Sequence, residues 1–150
     1  MKAVIQRVSK ASVTIEKKCV ASIEHGLLVF LGIQEKDDGS DIEWLCNKIV
    51  GLRIFSDEGE KMNLSVKDID GDVIIVSQFT LHSSTQKGFR PSFVKAARPE
   101  QAIPIYNNFI SKSEELLGKN IQTGQFGANM DIALNNNGPV TIIIDSLNRE

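Results

Sequence analysis

Two apolar runs constrain this chain most: Leu27-Leu28-Val29-Phe30-Leu31-Gly32-Ile33 and Val73-Ile74-Ile75-Val76. Neither alternates with polar residues. Each is read as a strand buried on both faces, at the centre of a sheet. The flanking β patterns are of another kind. Residues 2–8 are β-branched and alternate loosely, and Ser12-Val13-Thr14-Ile15-Glu16 alternates cleanly. Lys17-Lys18 makes a turn and residues 20–23 return, which predicts a hairpin. Helical spacing appears twice. Ile42, Leu45, Cys46, Ile49 and Val50 follow a turn rich in N-cap residues, and Gly51 stops the run. Pro99-Glu100 opens a second helix, with Ile103, Tyr106, Phe109, Ile110, Leu116 and Leu117 near one face and Gly118 at its end. Short strands are expected at 52–55, 121–126, 130–134 and 140–144. About eight strands, in hairpins and not in strict βαβ alternation, with two helices predict an α+β fold in one domain over residues 1–150.

Several function classes are disfavoured at once. No apolar run approaches the ~18 residues of a membrane helix, so no membrane partner is expected. Ser9, Lys10 and Ser12 interrupt the N-terminal segment, which does not read as a signal peptide. Cys19 and Cys46 have no metal-like spacing and are read as free buried thiols in a reducing, cytoplasmic setting. His25 and His82 lack cysteine or carboxylate partners at ligand spacing, so the expectation is no metal and no cofactor. The net charge of −2 argues against sequence-blind nucleic-acid binding. Yet residues 83–98 carry Lys87, Arg90, Lys95 and Arg98 and no acid. Such a loop either meets phosphates or is simply solvated. Irregular loops of this length are usually functional.

Two segments are odd where they stand. Ser77-Gln78-Phe79-Thr80-Leu81 puts polar groups at the end of a buried strand, and Asn136-Asn137-Gly138-Pro139-Val140-Thr141 puts Gly-Pro between two strand-like runs. Taken alone, the first is a strand ending and the second a turn. Together they resemble the signature motifs of the D-aminoacyl-tRNA deacylases, the D-Tyr-tRNA deacylase family: Ser-Gln-Phe-Thr, and Asn-x-Gly-Pro-Val/Phe-Thr. Three further stretches fit in the same order: residues 1–8, Lys87-Gly88-Phe89-Arg90-Pro91-Ser92-Phe93, and Thr123-Gly124-Gln125-Phe126-Gly127-Ala128-Asn129-Met130.

The resemblance implies a mainly antiparallel, barrel-like β-fold with two to three helices that forms a homodimer. It also implies hydrolysis of the ester of D-aminoacyl-tRNA, whose 3′ end is the substrate. Main-chain N–H groups near Gln78 and Phe79, in the catalytic segment Ser77, Gln78, Phe79, Thr80, are expected to face the ester carbonyl. Phe79 shapes the adenosine pocket, with Phe126, Ala128 and Met130 beside it. Gly138-Pro139 is expected to be cis. It would reach across the dimer into the partner's site, hold the α-amino group and leave no room for an L side chain. Glycyl-tRNA, with no side chain, would not be excluded. Arg7 would brace Gly-Pro through backbone carbonyls. Phe89 stands where a second arginine is common, and Asn137 where aspartate is.

The residues themselves leave Thr80 open between three roles. It is a nucleophile, a positioning or oxyanion-side group, or a structural hydroxyl. As i and i+2 on a strand, Thr80 and His82 would share a face, so a nucleophile–base pair is one expectation. An activated ester needs little more than a bound adenosine, a placed water and oxyanion donors, to which the RNA's own 2′-hydroxyl can add. The rivals are a non-catalytic RNA-binding barrel using segment 83–98 with Phe79, Phe89 and Phe93, and a structural dimer.

Overall fold

The computed structural model describes residues 1–149. Along the chain run β1 (Lys2–Ile15), β2 (Lys18–Ile23), β3 (Gly26–Gly32), α1 (Gly39–Gly51), β4 (Phe55–Ser56), β5 (Met62–Leu64) and β6 (Asp72–Ser77). A 3₁₀ turn (Phe79–His82), α2 (Pro99–Leu117), β7 (Gln122–Thr123) and β8 (Asp131–Asp145) follow. The architecture is α+β, a nearly closed barrel-like sheet with two α-helices.

β1 is the spine of the sheet. One edge pairs with β3 from Lys2↔Gly32 to Val8↔Gly26, then with β2 from Ala11↔Ile23 to Ile15↔Lys18. The other edge pairs with β8 from Lys2↔Asp145 to Thr14↔Asp131. Four pairings are antiparallel, while β3–β6 and β6–β7 are parallel. The two continuous apolar runs are the neighbours β3 and β6 at the middle of the sheet, as two-sided burial requires.

Opposite faces of these strands feed separate cores. Ile5, Leu27, Val29, Leu31, Val73 and Ile75 pack with the two helices in one cluster. Val8, Val13, Ile23, Leu28, Ile74 and Val76 form the other, inside the curl of the sheet. α1 starts at Asp38, whose side chain accepts from Ser40 and Asp41 N–H while the Asp41 carboxylate returns to Asp38 N–H in a capping box. Its face Ile42, Leu45, Cys46, Ile49, Val50 is buried as spaced. α2 buries Ala102, Tyr106, Phe109, Ser113 and Leu117, and closes on Gly118 in the left-handed conformation. Among the described residues no helix is long and apolar enough to cross a membrane.

Several expectations are corrected. Residues 2–8 and 12–15 are one strand, with Glu16 in the turn that follows, and 131–134 and 140–144 both belong to β8, because the β1–β8 pairing absorbs its irregularities as bulges. The 52–55 strand shrinks to Phe55–Ser56, since the Ile54 carbonyl accepts from the Arg7 side chain instead of a strand. The 121–126 strand shrinks to Gln122–Thr123, and Phe126 packs edge-on against Tyr106 at 5.8 Å. Ile103 faces outward, and the stripe passes through Ala102 and Ser113 instead. Both thiols are free, but only Cys46 is buried; Cys19 is exposed.

Gly26 opens the β3–β6 contact. A β-carbon there would lie 1.8 Å from the Asp72 carbonyl oxygen, which belongs to the paired backbone and cannot swing aside. Gly26→Ala is therefore expected to cost at least the ~1–3 kcal/mol of core overpacking. Gly51→Ala, where nothing lies within 4 Å, is expected to be neutral or stabilising by up to ~1 kcal/mol in its helix. Urea midpoints of the two variants check the contrast.

Candidate functional site

β3 and β6 run parallel, and a cavity of about 270 Å³ opens beyond their carboxyl ends. Its floor combines Leu31, Val76 and Ile132; its rim is Ser77-Gln78-Phe79 on one side and the 126–130 segment on the other. Crevices at the carboxyl ends of parallel strands are where open sheets take ligands. The structure thus brings together Ser77, Gln78, Phe79, Phe126, Ala128 and Met130, which come from two segments far apart in sequence. Among the described residues no charged or titratable side chain lines the cavity. Its chemistry must come from neutral dipoles, apolar walls and the ligand itself.

The strand stops at Ser77 because the chain tightens into the 3₁₀ turn. Gln78 N–H is held by the Leu31 carbonyl at 2.8 Å, so it is not available to a ligand. Phe79 and Thr80 open the turn, where N–H groups have no preceding carbonyl to bond. Neither donates to any group among the described residues. Of the N–H groups expected near Gln78 and Phe79, that of Gln78 is therefore occupied and that of Phe79 is unbonded among the described residues; Phe79 lines the cavity and Thr80 does not. The Gln78 side-chain amide donates to Thr80 Oγ1 at 2.5 Å and fixes that hydroxyl. Phe79 is 55% exposed and rests edge-on against Phe93 at 5.0 Å.

The Thr80–His82 pairing is corrected by the same turn. Residues 79–82 are not extended, so i and i+2 do not share a face. His82 points into the core, only 4% exposed, with Nε2 unpartnered among the described residues. It offers Thr80 no base. His25 is exposed, edge-on to Phe55 at 5.2 Å.

The second motif lies elsewhere. Gly138-Pro139 does not line the cavity of its own chain. Gln6 pairs with Thr141 and Val8 with Asn136, so Arg7 alone stands opposite residues 137–140, which loop out of β8. Three ties pin the loop. Arg7 Nε donates to the Asn137 carbonyl at 3.2 Å while Nη1 donates to the Ile54 carbonyl at 2.6 Å. Asn136 Nδ2 donates to the Arg7 and Val140 carbonyls at 3.1 and 3.0 Å. Thr141 Oγ1 donates to Asn136 Oδ1 at 3.2 Å. The Gly138-Pro139 peptide is cis, and Gly138 has φ of +122°, which side chains rarely adopt. Asn137, Gly138 and Pro139 are all exposed.

Comparison with known proteins decides the family. The family model described as D-Tyr-tRNA(Tyr) deacylase matches residues 4–145. The chain belongs to that family. A D-aminoacyl-tRNA deacylase of Flavobacterium psychrophilum is 61% identical over 150 residues, all of both chains. One of Cytophaga hutchinsonii is 60% identical over the same span. A solved structure titled c-Myc DNA Unwinding Element Binding Protein superposes with TM-score 0.89 at 40% identity, covering 97% of this chain and 98% of that one. A probable eukaryotic D-amino acid tRNA deacylase superposes at TM-score 0.80 with 16% identity over 95% and 97% of the chains, a likeness of fold.

Against this family background, some site residues were not singled out in the sequence. Ala97 and Ala102 line the cavity from segment 83–98 and the first turns of α2, and small residues carry no periodic or chemical signal. Tyr106 holds Phe126 from behind, its hydroxyl donating to the Ile75 carbonyl at 2.8 Å. Burial pushes that phenol up to about 12, so it remains a neutral donor. Asn136 was visible as a motif position, but its tie to the Arg7 carbonyl needs the register.

Burial holds the His82 imidazole below its ordinary range, while the unfolded chain titrates normally. The neutral form is favoured in the fold, so the stability it contributes is present above about 6.5 and is lost as pH falls from there through the folded value. The wild-type urea midpoint is expected to drop from pH 7 to pH 5 by more than that of His82→Gln. Equal drops would show that His82 does not carry the titration.

Proposed function

We propose that this chain hydrolyses the ester of D-aminoacyl-tRNA, acting as a single deacylase domain over residues 1–150. The observation that carries the reading is the cavity itself. It joins the Ser77–Phe79 and Phe126–Met130 segments into one neutral, aromatic-walled site, in a chain whose close relatives bear that name. The terminal adenosine at the RNA 3′ end sits between Phe79, Phe126 and Met130. Phe79 and Thr80 N–H take the carbonyl oxygen as it gains charge. Water adds to the carbonyl carbon, the bond from that carbon to the ribose oxygen breaks, and the ribose oxygen leaves with a proton. The products are the D-amino acid and tRNA. The adjacent 2′-hydroxyl of the RNA assists, since the Thr80 hydroxyl is held by the Gln78 amide and His82 is turned into the core. The reading calls for no cofactor or metal, and it places the reaction in the cytoplasm.

Chirality is set across a homodimer. The outer edge of β8 carries no strand partner among the described residues, and its Ile143 is 72% exposed. An unpaired strand of that length is a template for association. Gly138-Pro139 of the partner subunit enters the cavity mouth, its carbonyls hold the α-amino group, and an L side chain meets backbone. Glycyl-tRNA is admitted, having no side chain to reject. The exposed, braced residues 137–139 support this use of backbone atoms.

Matched D- and L-tyrosyl-tRNA test the reading, with and without a chelator. The expected result is rapid, chelator-resistant loss of the D ester alone. Equal loss of both would remove the chiral filter, and loss of neither with tRNA still bound would leave a binding module. Thr80→Ala is expected to keep activity within about ten-fold. Replacing the terminal 2′-hydroxyl by hydrogen is expected to cost on the order of 10² or more, the scale of a lost proton-transfer partner. Complete loss in a folded Thr80→Ala dimer would instead make Thr80 the nucleophile.

A further inference from the structure

Segment 83–98 leaves the cavity rim and returns to it. It begins just after the 3₁₀ turn whose Phe79 lines the cavity, and ends at Ala97, which lines it again. The far end is anchored by Ala97 N–H donating to the Ile33 carbonyl at 3.0 Å and by the Gln34↔Ala96 bridge. Ser84 and Ser92 exchange backbone hydrogen bonds at 2.8 and 2.9 Å. Phe93 rests against Phe79. The segment is therefore a strap, tied at both ends to the cavity mouth.

Lys87, Arg90, Lys95 and Arg98 are exposed, and none joins an ion pair among the described residues. Between the first two stands Phe89, wholly exposed. An apolar ring between unpaired cations is the combination that binds single-stranded nucleic acid, the cations meeting phosphates and the ring stacking on a base. The cavity, by contrast, has no charged group to hold a phosphate. A strand whose last nucleoside enters it must leave its phosphates at the mouth, where the strap lies.

We propose that the strap binds the phosphodiester chain of the single-stranded RNA 3′ end that leads into the cavity, with Lys87 and Arg90 on phosphates and Phe89 on a base. This rests on the deacylase reading. It explains how a chain of net charge −2 engages a polyanion: the positive charge is concentrated at the site.

The test compares D-tyrosyl-tRNA with the D-tyrosyl ester of adenosine, which has the nucleoside and no phosphates. In Lys87→Gln/Arg90→Gln, kcat/KM on the tRNA substrate is expected to fall about ten-fold at low salt. Its log–log salt slope should flatten by about 0.7 per charge removed. Phe89→Ala should lower the tRNA value without changing the slope. Turnover of the adenosine ester should stay within about two-fold of wild type in all variants, which also reports that they are folded. Equal effects on both substrates, or unchanged tRNA kinetics in both the charge pair and Phe89→Ala, would overturn the strap assignment alone. A wild-type chain that hydrolyses neither ester would overturn the deacylase reading, and the strap assignment with it.

Discussion

The structure depends on one imperfect pairing. β1 and β8 run antiparallel over nearly their whole lengths, but between Gln6 and Val8 a single residue, Arg7, faces residues 137–140. That mismatch reverses which way β8 presents its apolar side chains, and a second shift, between Val8 and Lys10, reverses β1. On one side of the two shifts, Ile5 and Ile142 are paired and pack with the helix-covered core. On the other, Val13 and Ile132 are paired and pack with the core inside the curl. A regular ladder keeps each face constant along its length, so the passage from one core to the other needs inserted residues. The extra residues are Ser9 in β1 and the Gly-Pro bulge in β8, which is held by the Arg7 guanidinium and the Asn136 amide. The irregularity between the two cores also produces the loop that the functional reading uses.

The cavity has the same origin. It lies where the two cores part, past the ends of β3 and β6. Leu31, Ala102 and Phe126 belong to the helix-side core, while Val76, Met130 and Ile132 belong to the other. At Ser77 the chain can no longer be buried on both faces, and in the tight turn that follows the Phe79 and Thr80 N–H groups donate to nothing among the described residues, with Phe79 at the cavity and Thr80 beyond its lining. Unmade hydrogen bonds are costly in a core and useful at a site. Gln78 shows the alternative at the adjacent position, with its N–H spent on Leu31 and its side chain on Thr80.

The sequence makes the strongly periodic parts legible. The two-sided apolar runs are the central strands, and the spacing of α1 is realised residue for residue. It does not reveal that paired short patterns are single long strands, because the breaks at Ser9-Lys10 and at Gly138-Pro139 look like turns until the partner strand is known. The placement of Phe126, Ala128 and Met130 beside Phe79 came from motif resemblance, and the cavity unites them. The Thr80–His82 pairing failed for a local reason. Strand periodicity ends at Ser77, where the backbone leaves the strand, and His82 is a buried imidazole instead of an exposed base.

A neutral cavity and a backbone loop together imply a division of labour. Side chains lining the cavity supply shape, apolar area and the neutral dipoles of Ser77, Gln78 and Asn129, while the main chain offers unbonded N–H groups at Phe79 and Thr80 and exposed backbone at 137–139. Main-chain groups cannot be removed by substitution at their own positions, but they are aimed only as well as the fold holds them. The sensitive side chains should therefore lie one step back from the substrate. Arg7 is the clearest case. Its guanidinium joins the Asn137 carbonyl to the Ile54 carbonyl, so the loop is braced against the segment leading to β4 and not against its own strand alone. A lysine there would keep the charge and lose the fork that reaches both carbonyls at once. The geometry, more than the charge, is what position 7 contributes.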